Sequence, residues 1–177
     1  PAERLRVAYV CSEFGNHPVG QLMGSVFSLH DPSDFEIFVY AMGKNDGSCW
    51  YARVEASAEH FLDVSSWPAD QIVQQIVADR IHIAVNINGF TKGSRNEIFA
   101  LRCAPLQVQF LGFPGTMAAP WIDYLIADPV SAPPEMHACY GEPLALMPHC
   151  MVPTDHMQAH AKLLTSPQPE RSEWGLP

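Results

Sequence analysis

The sequence predicts an α/β domain built on a doubly wound parallel sheet, and three observations predict it. Short β-forming apolar runs recur along the chain, at residues 5–10, 35–42, 61–64, 81–87, 106–111, 124–127 and 144–147. Segments with helical spacing lie between several of them. The run at 81–87 (IHIAVNI) is apolar at every residue of one parity and carries only His82 and Asn86 as polar residues on the other, a pattern close to that of strands covered on both faces. Strands alternating with helices at this spacing imply right-handed crossovers and a parallel sheet.

The first unit is the most informative. Residues 5–10 lead into the polar loop Ser12-Glu13-Phe14-Gly15-Asn16-His17, then Pro18 and the periodic apolar residues Val19, Leu22, Met23, Val26 and Phe27, which predict one helix. Pro18 suits a first helical turn, where its missing N–H is no loss. The loop therefore sits at the carboxyl end of a strand and faces a helix N-terminus, the place where open α/β sheets bind ligands. Glu13, Asn16 and His17 are the first candidates for chemistry.

A turn at 31–34 precedes the second strand, and the loop 43–48 precedes a helix expected over 50–60, with Tyr51, Val54 and Ala58 on one side. After the third strand, Pro68-Ala69-Asp70 opens a helix whose buried face is predicted to hold Ile72, Val73, Ile76 and Val77. The strand at 81–87 ends in the Gly-rich loop 88–93, followed by a short helix at 96–101. The strand at 106–111 ends in a third such loop, Gly112-Phe113-Pro114-Gly115-Thr116. His82 and Asn86 fall on a buried strand and read as internal hydrogen-bonding groups. Phe35, Phe38, Tyr40 and Trp50 read as packing residues. From about residue 152 the chain turns polar, and Ser166-Pro167-Gln168-Pro169 has linker composition. The expected division is a catalytic-type domain over 1–151 and a linker over 152–177.

The 177 residues are 47% apolar, enough for a sizeable core. Ten basic against nineteen acidic residues give a net charge of −9, which argues against nucleic acid or an anionic membrane as partner, although Lys92 and Arg95 offer a local site for a phosphate. Five cysteines without a C-x-x-C pair suggest neither a disulfide framework nor a zinc knuckle, and fit a reducing compartment. No leader-like segment opens the sequence and no apolar run is long enough to span a bilayer. His156 and His160 share i, i+4 spacing but lack a companion Glu and a third ligand, so no metal is assigned.

Three loops carry a specific likeness. Residues 12–18 (SEFGNHP), 86–97 (NINGFTKGSRNE) and 111–116 (LGFPGT) resemble, in order and spacing, the amino-terminal catalytic half of the nucleocytoplasmic O-linked N-acetylglucosamine transferases. The likeness runs from about residue 5 to residue 149 and includes Ala104-Pro105, Ile122-Asp123-Tyr124 and Met147-Pro148-His149. The related plant fucosyltransferase branch is less similar in the second loop.

The resemblance implies one Rossmann-like half of a GT-B type glycosyltransferase. It implies transfer of N-acetylglucosamine from UDP-N-acetylglucosamine to Ser or Thr hydroxyls of cytoplasmic and nuclear proteins, with inversion and without a metal or other cofactor. Expected partners are the protein acceptors, the UDP-sugar, a second catalytic half and a tetratricopeptide-repeat region. His17 matches a residue beside sugar and diphosphate, and is expected to position donor or acceptor. Glu13 stands where the family has Asp, a candidate general base or acceptor-orienting carboxylate, one methylene longer here. Its plain alternative is a solvated acid favoured by a helix dipole. Asn16 and Pro18 match substrate-facing positions. Leu111, Gly112 and Pro114 match the wall around the N-acetyl group and the lid above it, Thr116 completes that loop, and Lys92 offers a positive charge to substrate. Val19, Gln21 and Phe90 depart from the family pattern.

Two readings of other classes stand beside this one. A truncated or degenerate half acting as a binding or scaffold module fits the departures at Glu13, Val19, Gln21 and Phe90. A dinucleotide oxidoreductase is weakened because no G-x-G-x-x-G follows the first strand.

Overall fold

The computed structural model describes residues 3–167, 169–175 and 177. Its elements in chain order are β1 (Leu5–Cys11), α1 (Pro18–Met23), β2 (Phe35–Ala41), α2 (Cys49–Ser57), β3 (His60–Asp63), α3 (Ala69–Ala78), β4 (Ile83–Asn86), α4 (Glu97–Ala100), β5 (Leu106–Gln109), β6 (Tyr124–Ala127), β7 (Leu144–Leu146), α5 (His156–Ala159) and α6 (Ala161–Thr165). The strands form one sheet in the order β3-β2-β1-β4-β5-β6-β7. All six pairings are parallel. The order reverses between β1 and β4, so the crevice of a doubly wound sheet lies at the carboxyl ends of these two strands. All seven expected strands are present.

Alternate residues of each central strand feed opposite cores. Val7, Tyr9, Cys11, Ile37, Val39, Ala41 and Val85 pack with Val19 and Met23 of α1 and with Tyr51 and Val54 of α2. Ala8, Val10, Phe38, Tyr40 and Ala84 pack on the other face with Ile72 and Ile76 of α3 and with Ile98 and Phe99 of α4. This period of two, buried on both sides, is why the strand sequences read as nearly continuous apolar runs.

Several helices differ from expectation in extent. The helix expected from Pro18 through Phe27 stops at Met23, and a separate 3₁₀ turn covers Val26–Leu29. The break falls at Gly24, against which Asp155 and Arg53 press. Helix α2 starts one residue before Trp50, because the Ser48 side chain caps it by accepting from the Tyr51 N–H at 3.2 Å, and it ends at Ser57. On α3, Ile72 and Ile76 are fully buried while Val77 is 58% exposed, since the fourth apolar position has rotated off the buried stripe.

The amino-terminal edge of the sheet is fastened by charge. Glu36 meets Arg6 at 3.0 Å and His60 at 3.0 Å, and Arg4 bridges to Glu59 at 2.9 Å. Below the same edge the Tyr40 hydroxyl donates to Asp79 at 2.6 Å. At the tail, packing continues past residue 151: Asp155 is buried, as Met151 is before it.

Candidate functional site

The three loops singled out by sequence leave the carboxyl ends of β1, β4 and β5, which lie side by side in the sheet. Their tips are knitted together. Asn88, fully buried, accepts from the Ser12 N–H through Oδ1 at 2.8 Å and donates through Nδ2 to Ser12 Oγ at 2.8 Å and to Thr91 Oγ1 at 3.0 Å. Thr91 Oγ1 lies 3.2 Å from Glu13 Oε2. The third loop meets the second where the Phe90 and Phe113 rings pack edge to face, centroids 5.4 Å apart. A side chain at Gly89 (φ 58°) would collide with Phe113 Cβ at 2.5 Å, so only glycine lets these two loops close.

His17 is the N-cap of α1. Its backbone is extended (φ −141°, ψ 153°) and its Nδ1 accepts from the Val19 N–H at 3.3 Å, with Pro18 in the first turn. In the neutral ring this acceptor role puts the proton on Nε2, which points toward Glu13 Oε1 at 3.4 Å. The loop geometry thus turns two residues four apart in sequence into a facing acid and imidazole. Glu13 is mostly buried and His17 half-exposed, so the imidazole forms the open side of the pair. Asn16 is exposed, and its backbone N–H donates to Asp46 Oδ2 at 2.7 Å, which anchors this loop to the one after β2. That bond, with those from Ser48, holds the Asp46 carboxyl down to about 2. Cys11, at the end of β1, is no nucleophile: burial pushes its thiol pKa up, and its sulfur accepts from the Glu13 N–H at 3.3 Å.

The second loop rests on a buried amide ladder. Asn86 Oδ1 accepts from the N–H groups of Asn88 (3.1 Å) and Gly89 (3.0 Å), while its Nδ2 donates to Asn96 Oδ1 at 3.1 Å. Asn96 in turn donates to the Gly89 carbonyl at 2.8 Å. Asn86 at the end of β4 and the half-buried His82 just before that strand, whose Nδ1 accepts from the Arg6 N–H at 3.0 Å, both serve as internal hydrogen-bonding groups. Lys92 is exposed, and its ammonium has no ion-pair partner among the described residues. Arg95, the other half of the expected local phosphate site, is already engaged: it donates to the Trp67 carbonyl at 2.7 Å and pairs with Glu97 at 3.4 Å.

In the third loop Leu111 is buried with φ 68°, a left-handed conformation that costs a side-chain-bearing residue about 1–2 kcal/mol. Gly112 follows against the Ile87 carbonyl, too close for any Cβ, and Val19 of α1 lies beside it. Pro114 is exposed at the tip. Thr116 points elsewhere: its hydroxyl donates to Glu142 at 2.5 Å and accepts from the N–H groups of Ala118 (3.0 Å) and Gly141 (3.0 Å), which fills its capacity. The structure therefore brings Glu13, His17, Asn16, Pro18, Lys92, Leu111, Gly112 and Pro114 to one rim, and commits the Thr116 hydroxyl to holding that rim's base. Asn88, Thr91 and Asp46, which join the loops, were not singled out. An Asn opening a Gly-rich loop, where a short amide can bond to nearby backbone, is the sequence signal that marks Asn88.

Among the described residues, one cluster has metal-ligand geometry, Glu36, Glu59 and His60. It lies at the opposite edge of the sheet, and Arg4 and Arg6 already neutralise its carboxylates. The His156 and His160 rings lie 6.3 Å apart on α5 and its C-cap, with no third ligand grouped with them among the described residues.

A doubly wound parallel sheet with its loop cluster at the switch point defines a Rossmann-like α/β domain that presents a ligand crevice at one rim. Residues 1–170 match glycosyl transferase family 41, and the chain belongs to that family. It is 47% identical over 176 residues to the probable UDP-N-acetylglucosamine–peptide N-acetylglucosaminyltransferase SEC of Arabidopsis thaliana, covering 99% of this chain and 18% of that protein. It is 46% identical to the UDP-N-acetylglucosamine–peptide N-acetylglucosaminyltransferase of Caenorhabditis elegans, over 88% of this chain and 14% of the other. The SPINDLY protein of Arabidopsis thaliana matches at 27% identity. A Thermobaculum terrenum O-GlcNAc transferase structure superposes with a TM-score of 0.80 and 28% identity, covering 85% of this chain and 29% of that one. The fold is thus the Rossmann-like α/β type found within a GT-B glycosyltransferase, and the chain spans less than a third of each of these four relatives.

Proposed function

We propose that this chain forms the sugar-side and acceptor-side wall of a protein O-N-acetylglucosaminyltransferase. The donor is UDP-N-acetylglucosamine and the acceptors are Ser or Thr hydroxyls of cytoplasmic and nuclear proteins. A second Rossmann-like half closes the cleft and supplies the main diphosphate contacts, residues 152–177 lead toward it, and a tetratricopeptide-repeat region selects acceptors. The observation that carries this reading is the facing pair of Glu13 and His17 on a capped helix start, at a rim shared with Lys92 and the Leu111-Gly112 wall.

In this reading an acceptor oxygen attacks the anomeric carbon as UDP departs, with inversion. The imidazole Nε2–H of His17 turns from Glu13 to donate to a substrate oxygen, and the Glu13 carboxylate orients the acceptor hydroxyl and takes its proton as the new bond forms. Lys92 offsets negative charge on the departing side. Leu111 beside Gly112 offers a small apolar hollow for the acetyl methyl, a difference that favours N-acetylglucosamine over glucose. Most of the rate then comes from positioning and from stabilising the leaving diphosphate, without a metal.

The test is transfer from labelled UDP-N-acetylglucosamine to an acceptor protein by the full-length protein, alongside calorimetry of the 177-residue chain with UDP. Transfer by the full-length protein with weak UDP binding and no turnover by the isolated chain is the expected pattern. A full-length protein that binds acceptor yet transfers nothing makes this region a non-catalytic binding module instead.

A further inference from the structure

The helix that carries His17 is gripped at its other end by residues from opposite ends of the domain. Asp155, with 3% of its side chain exposed, places Oδ2 2.8 Å from Arg53 Nε of α2. The same guanidinium donates through Nη2 to Ser25 Oγ at 2.8 Å. Between them sits Gly24, the C-cap of α1: a Cβ there would lie 2.9 Å from Asp155 Oδ2 and 3.0 Å from Arg53 Cδ. Asp155 is itself fixed, because its carbonyl accepts from the Ala159 N–H at 2.8 Å at the start of α5.

A six-residue helix has too few hydrogen bonds to hold its own position, so what fixes α1 is its buried face and its two ends. His17 secures the first end, and the Arg53–Asp155 pair secures the second. Asp155 is the buried member of the pair, so loss of Arg53 leaves its carboxylate uncompensated, while loss of Asp155 frees the partly exposed Arg53 side chain from its hold on Gly24. We propose that Arg53 and Asp155 are positioning residues that set the placement of α1, and through it the His17 ring against Glu13. The proposal rests on the reading of His17 as a substrate-positioning group.

The experiment uses the full-length protein with Asp155→Asn, Asp155→Leu and Arg53→Lys, measuring kcat, the KM for UDP-N-acetylglucosamine, and amide hydrogen exchange across α1 with α3 as internal reference. The expected result is a kcat loss of about tenfold or more for Asp155→Leu, since a small misplacement of a positioned group has effects of that size. Asp155→Asn, which can still accept from Arg53, falls between that variant and the wild type. The donor KM changes by less than about twofold, as fits a group acting on the reacting geometry. Exchange quickens in α1 and not in α3. Unchanged kcat, or exchange that rises equally in both helices, overturns the proposal. Should Asp155→Leu fail to fold, Asp155→Asn and Arg53→Lys carry the same readouts. Full turnover by His17→Ala in the same assay sinks the reading of His17, while the exchange in α1 still decides whether the pair positions that helix.

Discussion

His17 Nε2 lies 3.4 Å from Glu13 Oε1 while His17 Nδ1 caps the helix behind it, so one imidazole holds a backbone end and faces a carboxylate at once. These two duties are separable by mutation. In His17→Asn the cap is kept, because Asn is among the best N-cap residues, whereas His17→Ala loses it at about 0.5–2 kcal/mol. Thermal unfolding is expected to show a lowered midpoint for Ala and little change for Asn, with transfer activity strongly reduced in both. Activity preserved in His17→Asn assigns the residue a capping role alone.

Glu13 is expected to work through its charge rather than its bulk. Glu13→Gln keeps the length of the side chain but has one acceptor oxygen where the carboxylate turns one toward Thr91 and the other toward His17, and it removes the negative charge; it should lower kcat by about 10²–10⁴, because it no longer takes the acceptor proton. Glu13→Asp, the shorter acid that the family carries, should retain most activity. Equal kcat for Glu13→Gln and wild type returns Glu13 to the status of a solvated acid near a helix start.

The Asp46 carboxylate makes part of the loop anchoring acid-sensitive. Its pKa in the folded state is held down to about 2, against an ordinary value of 3.8, chiefly by the Asn16 N–H. A depressed carboxylate contributes stability that is fully present above the ordinary value and lost as pH falls toward 2. Stability measured between pH 5 and pH 2 should therefore fall less steeply in Asp46→Asn than in wild type. Identical slopes remove this bond as a pH-linked anchor.

Gly20 allows α1 to pass over the first loop. A Cβ there would lie 2.5 Å from the Phe14 carbonyl oxygen, with the Gly15 carbonyl crowding it as well. Gly20→Ala should destabilise by about 1–3 kcal/mol, because backbone must move rather than a flexible side chain. Chemical denaturation of the variant measures this, and a gain in stability, as Gly→Ala gives in an open helix, refutes the close contact.

The strands were legible because each carries its own apolar signal and the sheet buries both faces. The three loops were legible as a family pattern, and their meeting at one rim follows from parallel strands that are neighbours. What local sequence could not carry was set by contacts between distant segments. The stop of α1 at Gly24 depends on Arg53 and Asp155, the second of which is 131 positions away. The engagement of Thr116 depends on Glu142, and that of Arg95 on the Trp67 carbonyl. Both side chains looked available until their partners, more than twenty residues away, were in place. The strain at Leu111 was likewise invisible, since leucine has no preference for positive φ and only the surrounding loop imposes it.

Because every strand runs the same way, the molecule has two unlike rims. Arg4, Arg6, Glu36, Glu59 and His60 clasp the rim where the strands begin, far from any proposed substrate contact. An engineer wanting a different sugar could therefore redraw the tips where the strands finish and, independently, harden the scaffold from beneath.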